Sequence, residues 1–108
     1  MVIKTTPIAS MKDAFSVRGL NVIVTGGNRG IGLGISRAYA ESGANVALLC
    51  RGRESGDRAA AELRQYGTDC FCVPCDVGDL SSVKAAVAEV FRRFPAVDVL
   101  VNNAGVST

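Results

Sequence analysis

A short apolar run ends at Thr25, and a helical pattern begins five residues later. Between them lies Thr25-Gly-Gly-Asn-Arg-Gly-Ile-Gly32. Glycines at 26, 30 and 32 suit the binding of a pyrophosphate. Gly26 permits a tight turn out of a strand, Gly30 lets the backbone approach a phosphate, and Gly32 allows close packing of the helix. Unpaired N–H groups of the first helical turn, Gly30, Ile31 and Gly32, would face the anion, and the helix dipole favours its charge. Gly27 completes the turn. Asn28 either orders it or touches a phosphate, a local Asx turn being the alternative. For an isolated glycine pattern of this kind an ordinary glycine-rich turn would be a substantial alternative. The strand before it, the helix after it and the second strand beyond favour a dinucleotide.

The end of the second strand decides which dinucleotide. A carboxylate there would hydrogen-bond a ribose 2′-hydroxyl and select NAD. This chain has Cys50 followed by Arg51, with no acid until Glu54. A guanidinium pairs with a 2′-phosphate that a carboxylate would repel. Arg29, in the glycine turn, is a second cation aimed at the same region. The pair points to NADP(H); the alternative is two solvated surface charges. Arg53 is the weaker candidate.

These residues need a scaffold. The 108 residues suffice for one small domain, with 48% hydrophobic and 20% charged residues, as in ordinary globular chains. The net charge of +2 is too small to argue for nucleic acid or an anionic membrane. The mean hydropathy of +0.26 fits strands buried on both faces. No apolar run approaches the ~18 residues of a membrane span. Residues 1–10 do not form a secretory signal, and residues 1–17 are expected to be a leader, partly disordered or packed along an edge. Residues 18–108 then form a dinucleotide-binding unit. Strands are expected at 20–25, 45–50, 69–73 and 97–102. Helices are expected at 30–42, 54–66 and 80–94, with Gly43 and Gly67 closing the first two and Asp79, or Ser81 in competition with it, capping the third. The first helix would bury Ile31, Ile35, Ala38 and Tyr39. The third would bury Leu80, Val83, Val87, Val90, Phe91 and Phe94. The order β-α-β-α-β-α-β implies an α/β fold, a doubly wound parallel sheet with helices on both faces.

The three-residue spacing between Gly26 and Gly30 is similar to the T-G-x-x-x-G-x-G signature of the short-chain dehydrogenase/reductase superfamily. Asn102-Asn-Ala-Gly105 resembles that family's N-N-A-G motif, and Asp76-Val77 its D-V pair. The resemblance runs from Arg18 to Val106 and implies a Rossmann-type cofactor portion, cut after its fourth strand. By resemblance, Asp76 accepts from the adenine amino group and Val77 offers its backbone. Asn103, Ala104 and Gly105 let the cofactor lie close, and Asn102 ties strands together. The family's catalytic Ser, Tyr-x-x-x-Lys and further Asn lie downstream of N-N-A-G. No catalytic residue is therefore assigned. Tyr39 and Tyr66 are followed four residues on by Gly43 and Cys70 rather than Lys.

The implied activity is hydride transfer between nicotinamide and a carbonyl or alcohol of polyol, sugar-acid or 3-oxoacyl type. The segment from Phe15 to Leu20 resembles the lead-in of polyol and sugar-acid members. The alternative is a non-catalytic nucleotide-binding or redox-sensing module ending at residue 108. The resemblance also implies a homo-oligomer for the full-length form. The chain alone is expected to be inactive, with the fourth strand an open apolar edge.

Cys70-Phe-Cys-Val-Pro-Cys75, with Cys50 ending a neighbouring strand, raises a metal site as a competing possibility. Alternation puts Cys70 and Cys72 on one buried face, where thiols behave as small hydrophobes. The spacing is not a paired C-x-x-C, and histidine is absent. The expectation is free thiols, no metal and a cytoplasmic setting.

Overall fold

The computed structural model describes residues 16–103. The expectation for the leader falls mostly outside them, as do Ala104 and Gly105. The elements alternate: β1 (Asn21–Thr25), α1 (Gly30–Glu41), β2 (Asn45–Cys50), α2 (Arg53–Leu63), a 3-10 turn (Arg64–Tyr66), β3 (Cys70–Pro74), α3 (Leu80–Arg93) and β4 (Val99–Asn102). The strands are parallel and ordered β3-β2-β1-β4. The chain therefore winds outward from β1 through β2 to β3, then crosses to the other side of β1. That reversal opens a crevice at the carboxyl ends of β1 and β4.

Strand alternation sorts side chains between the two faces of the sheet. Val22, Val24, Val46, Leu48 and Cys70 meet Ala59, Ala60 and Leu63 of α2 on one face. On the other, Ile23, Ala47, Leu49, Phe71 and Val73 meet Ala86, Val90 and Phe94. The Phe71 and Phe94 rings contact edge to face, with centroids 5.1 Å apart. Arg93 covers the Phe71 ring at 3.9 Å and pairs with Asp69 at 2.7 Å.

The helix stripes differ from expectation. The buried residues of α1 are Gly32, Ser36 and Ala40, while Ile31 is 73% exposed. Small residues here let the helix approach the sheet closely. The Ser36 hydroxyl is absorbed within the turn, 2.9 Å from the Gly32 carbonyl and 3.2 Å from that of Gly27. In α3, Val83, Ala86, Val90 and Phe94 face the sheet, whereas Leu80 and Phe91 are exposed. Asp79 caps this helix, its side chain accepting from the Ser81 N–H at 2.9 Å. Gly43 and Gly67 follow their helical segments in the left-handed conformation, at φ +96° and +84°.

At the amino ends of the strands, a side chain continues the sheet ladder. Asp98 is buried and accepts from the Asn21 N–H at 2.8 Å, just before the first paired residues of β1 and β4. Its second oxygen, Oδ1, has no partner among the described residues. Asp98→Ala orphans a buried N–H and is expected to cost about 1–3 kcal/mol in urea denaturation. Asp98→Asn keeps an acceptor and is expected to stay within about 1 kcal/mol of the parent. Equal losses for both variants would show that the hydrogen bond is not the stabilising feature.

Candidate functional site

The crevice has a volume of about 550 Å³. It lies where three elements end together: β1 at Thr25, β2 at Cys50 and β4 at Asn102. The glycine turn forms one wall. Gly26 takes φ +62° and still bonds the Leu49 carbonyl at 2.7 Å, so the chain leaves the sheet sharply without losing its last ladder bond. Gly30 takes φ +57°, and a Cβ built there meets nothing within 4 Å, which leaves its backbone open to the crevice. No side chain caps the amino end of α1, so its first-turn amides remain available to an anion.

The opposite wall is tied to the turn. The Asn103 side-chain amide donates to the Gly26 carbonyl at 3.3 Å, and its N–H donates to the Thr25 hydroxyl at 2.9 Å. The Thr25 hydroxyl and the Asn102 side-chain carbonyl, 3.2 Å apart, link β1 to β4. Asn103 is therefore more than a small residue beside the crevice, since it fastens the two walls.

Other candidates fall at different depths. Arg29, Gly30, Ile31, Arg51 and Val77 line the crevice. Asn28 lines it too, and its side-chain amide donates to the Ser55 hydroxyl at 2.8 Å, binding the turn to α2 rather than forming a local Asx turn. Ser55, which sequence reasoning missed, carries no motif signal; only the tertiary fold brings it there. Gly27 and Gly32 are buried behind the lining. A Cβ at Gly27 would lie 2.7 Å from Leu48 Cδ2, and one at Gly32 would strike the Gly26 carbonyl oxygen. Asp76 is exposed, and its carboxylate accepts from the Gly78 N–H at 3.0 Å, shaping the loop that presents Val77.

The charge in the crevice is one-sided. Arg29 and Arg51 are exposed on its lining, and among the described residues neither forms an ion pair. None of the described lining residues is a carboxylate. Arg53, by contrast, is paired with Asp57 at 3.8 Å.

The cysteines divide between the two faces. Cys70 and Cys72 lie on the face packed by α2, as alternation predicts, and Cys75 lies on the other. Cys50 and Cys72 come together with sulfurs 3.1 Å apart. The hydrogen bond between them holds the Cys50 thiol below its ordinary range, with Arg29 adding to the effect, and pushes Cys72 up, where burial acts in the same direction. Burial raises Cys75 as well.

A sequence model of the family described as short chain dehydrogenase matches residues 20–108. The 3-oxoacyl-[acyl-carrier-protein] reductase FabG of Staphylococcus aureus is 41% identical over 88 residues, covering 81% of this chain and 36% of the reductase. L-Sorbose reductase from Gluconobacter frateurii, solved with NADPH and L-sorbose, superposes with a TM-score of 0.80 at 35% identity, over 84% of this chain and 35% of that one. NAD+-bound xylitol dehydrogenase gives a TM-score of 0.79 at 37% identity, over 83% of this chain and 35% of that one. The chain thus spans about a third of the length of these relatives. With the glycine turn, the strand order and the family match in agreement, the chain belongs to the short-chain dehydrogenase/reductase family.

Proposed function

We propose that this chain is the NADP(H)-holding part of a short-chain oxidoreductase that moves hydride between the nicotinamide and a carbonyl or alcohol substrate. The observation that carries the reading is Arg29 and Arg51, which form no ion pair among the described residues, on a crevice whose described lining has no carboxylate. The open amides of the first turn of α1 receive the pyrophosphate, and Gly30 leaves them accessible. Arg51 and Arg29 take the ribose 2′-phosphate, Asp76 and Val77 the adenine edge, and Asn103, with Ala104 and Gly105 by the family resemblance, lets the cofactor lie close. The cofactor supplies hydride chemistry. These residues bind and orient it, while the proton-transferring groups lie outside the elements described. Substrates of polyol or 3-oxoacyl type are in keeping with the relatives named above, and a sugar acid is the third class the reading admits.

Fluorescence titration with NADPH and NADH tests the reading. Arg51→Asp removes a guanidinium–phosphate pair and introduces repulsion. A charge-assisted bond is worth about 1.5–3 kcal/mol, so NADPH affinity should fall about 10- to 100-fold, toward the lower end as salt screens an exposed pair. NADH affinity should hold or rise. Equal losses for the two cofactors would mean that Arg51 does not read the 2′-phosphate, and parent binding of NADH in preference to NADPH would overturn the assignment.

A further inference from the structure

Cys50 ends β2, and Cys72 sits on the neighbouring strand β3, paired in register with Leu48. Their side chains share one face of the sheet, two residues apart on the diagonal, and their sulfurs lie 3.1 Å apart. The helix above them is shaped to leave room. A Cβ at Gly56 of α2 would strike Cys72 Sγ and lie 2.5 Å from Cys50 Sγ. Cys50 is also among the residues that line the crevice, beside Arg51; it is only 5% exposed, and its thiol donates to the Gly52 carbonyl at 3.6 Å, so a peroxide must enter from the crevice edge to meet the sulfur. The other two thiols are placed differently: Cys70 Sγ lies 3.4 Å from the Thr68 hydroxyl, and Cys75, although it also lines the crevice, lies on the opposite face of the sheet, away from Cys72.

We propose that Cys50 and Cys72 form a modification site, a dithiol that a hydroperoxide oxidises to a disulfide at the Arg51 end of the crevice. In the first step, the Cys50 sulfur attacks one oxygen of hydrogen peroxide. The O–O bond breaks, the other oxygen leaves as water with the thiol proton, and Cys50 becomes a sulfenic acid. In the second step, the Cys72 sulfur attacks the Cys50 sulfur. The S–O bond breaks, and hydroxide leaves with the Cys72 proton as a second water. Two electrons pass from sulfur to peroxide, and two thiols become one disulfide.

The placement of the pair favours this order. Cys50 is the member that lines the crevice, and the bond from Cys72 acts to lower its thiol, so Cys50 meets the peroxide first. Cys72, its sulfur 3.1 Å away, is then in place to attack the sulfenic acid. Closing the bond requires the sulfurs to approach by about 1 Å, to the disulfide length of about 2.05 Å. That movement draws Cys50 from Gly52 and shifts the turn carrying Arg51. The consequence for NADPH affinity rests on the function proposed above; the covalent step does not.

The test treats the chain with hydrogen peroxide, alkylates the remaining thiols and maps the peptides by mass spectrometry. The expected product joins Cys50 to Cys72, leaves Cys70 and Cys75 alkylated, and reverts with dithiothreitol. The tryptic peptide holding Cys72 also holds Cys70 and Cys75, so fragmentation within it must locate the bridge. In Cys72→Ala, Cys50 should stop at the sulfenic acid and be trapped by a cyclic 1,3-diketone. NADPH affinity of the oxidised parent should be about tenfold weaker and recover on reduction. Four alkylated cysteines after peroxide, or a bridge from Cys50 to Cys70 or Cys75, would overturn the site. A mapped Cys50–Cys72 bridge with unchanged NADPH affinity would overturn its coupling to the crevice. The same bridge in a chain that binds no NADPH in either state would count against the cofactor reading and leave the dithiol standing.

Discussion

Gly32→Ala is expected to cost about 3 kcal/mol of stability and at least about 100-fold in NADPH affinity. An added Cβ at this position strikes the Gly26 carbonyl oxygen, comes 2.9 Å from the Gly26 carbonyl carbon and lies 2.6 Å from Asn103 Nδ2. Backbone cannot rotate aside as a side-chain end can. Gly26 is held by its φ of +62° and by its bond to Leu49, so α1 must move instead. That movement breaks the Asn103–Gly26 link and displaces the amides that would face the pyrophosphate. Losing two charge-assisted bonds of about 1.5–3 kcal/mol each accounts for the expected fall in affinity. Gly34→Ala is the matching control. It lies in the same helix, with nothing within 4 Å of an added Cβ. It should stabilise the helix by up to about 1 kcal/mol and leave binding unchanged. Denaturation and NADPH titration of both variants separate steric collision from a general effect of helix glycine.

Leu48→Ala is expected to reduce stability by about 3–4 kcal/mol. Leu48 is fully buried on β2, an inner strand, and its Cδ2 lies directly beneath Gly27 of the glycine turn. Truncation removes apolar burial and leaves a cavity that the flanking strands, held in register on both sides, cannot fill. Against a typical domain stability of about 5–15 kcal/mol, that loss is large. Leu100→Ala removes the same side chain from β4, where it is 65% exposed, and should change stability by less than about 0.5 kcal/mol. Comparable losses at both positions would contradict the burial assigned to them.

The sequence revealed the order and type of elements because each strand is a compact apolar run closed by a turn residue. The residues of β2 were legible to the residue, and β1 to within one. The faces were less legible. Periodicity marks an apolar stripe but not what covers it, so Ile31, Leu80 and Phe91 were expected inside and lie exposed. The face α1 buries is made of Gly32, Ser36 and Ala40, small residues whose value lies in close approach, which a hydrophobicity pattern does not register. In the crevice, the positions of the glycine turn and Arg51 on its lining were legible from spacing and position alone. The Asn28–Ser55 and Cys50–Cys72 contacts were not, because each depends on how α2 and β3 dock beside β2. Alternation placed Cys70 and Cys72 on one face, but strand register was needed to set Cys72 against Cys50.

The central claim is that the crevice at the carboxyl ends of β1, β2 and β4 holds NADP(H). Backbone amide shifts of the isotope-labelled chain, recorded during NADPH titration, test it most directly. Saturable shifts are expected across residues 26–32, at Arg51 and Gly52, and at Val77 and Asn103. Shifts confined to the opposite end of the sheet, around Asn21, Asn45 and Asp98, or no saturable shifts in a folded chain, would contradict it.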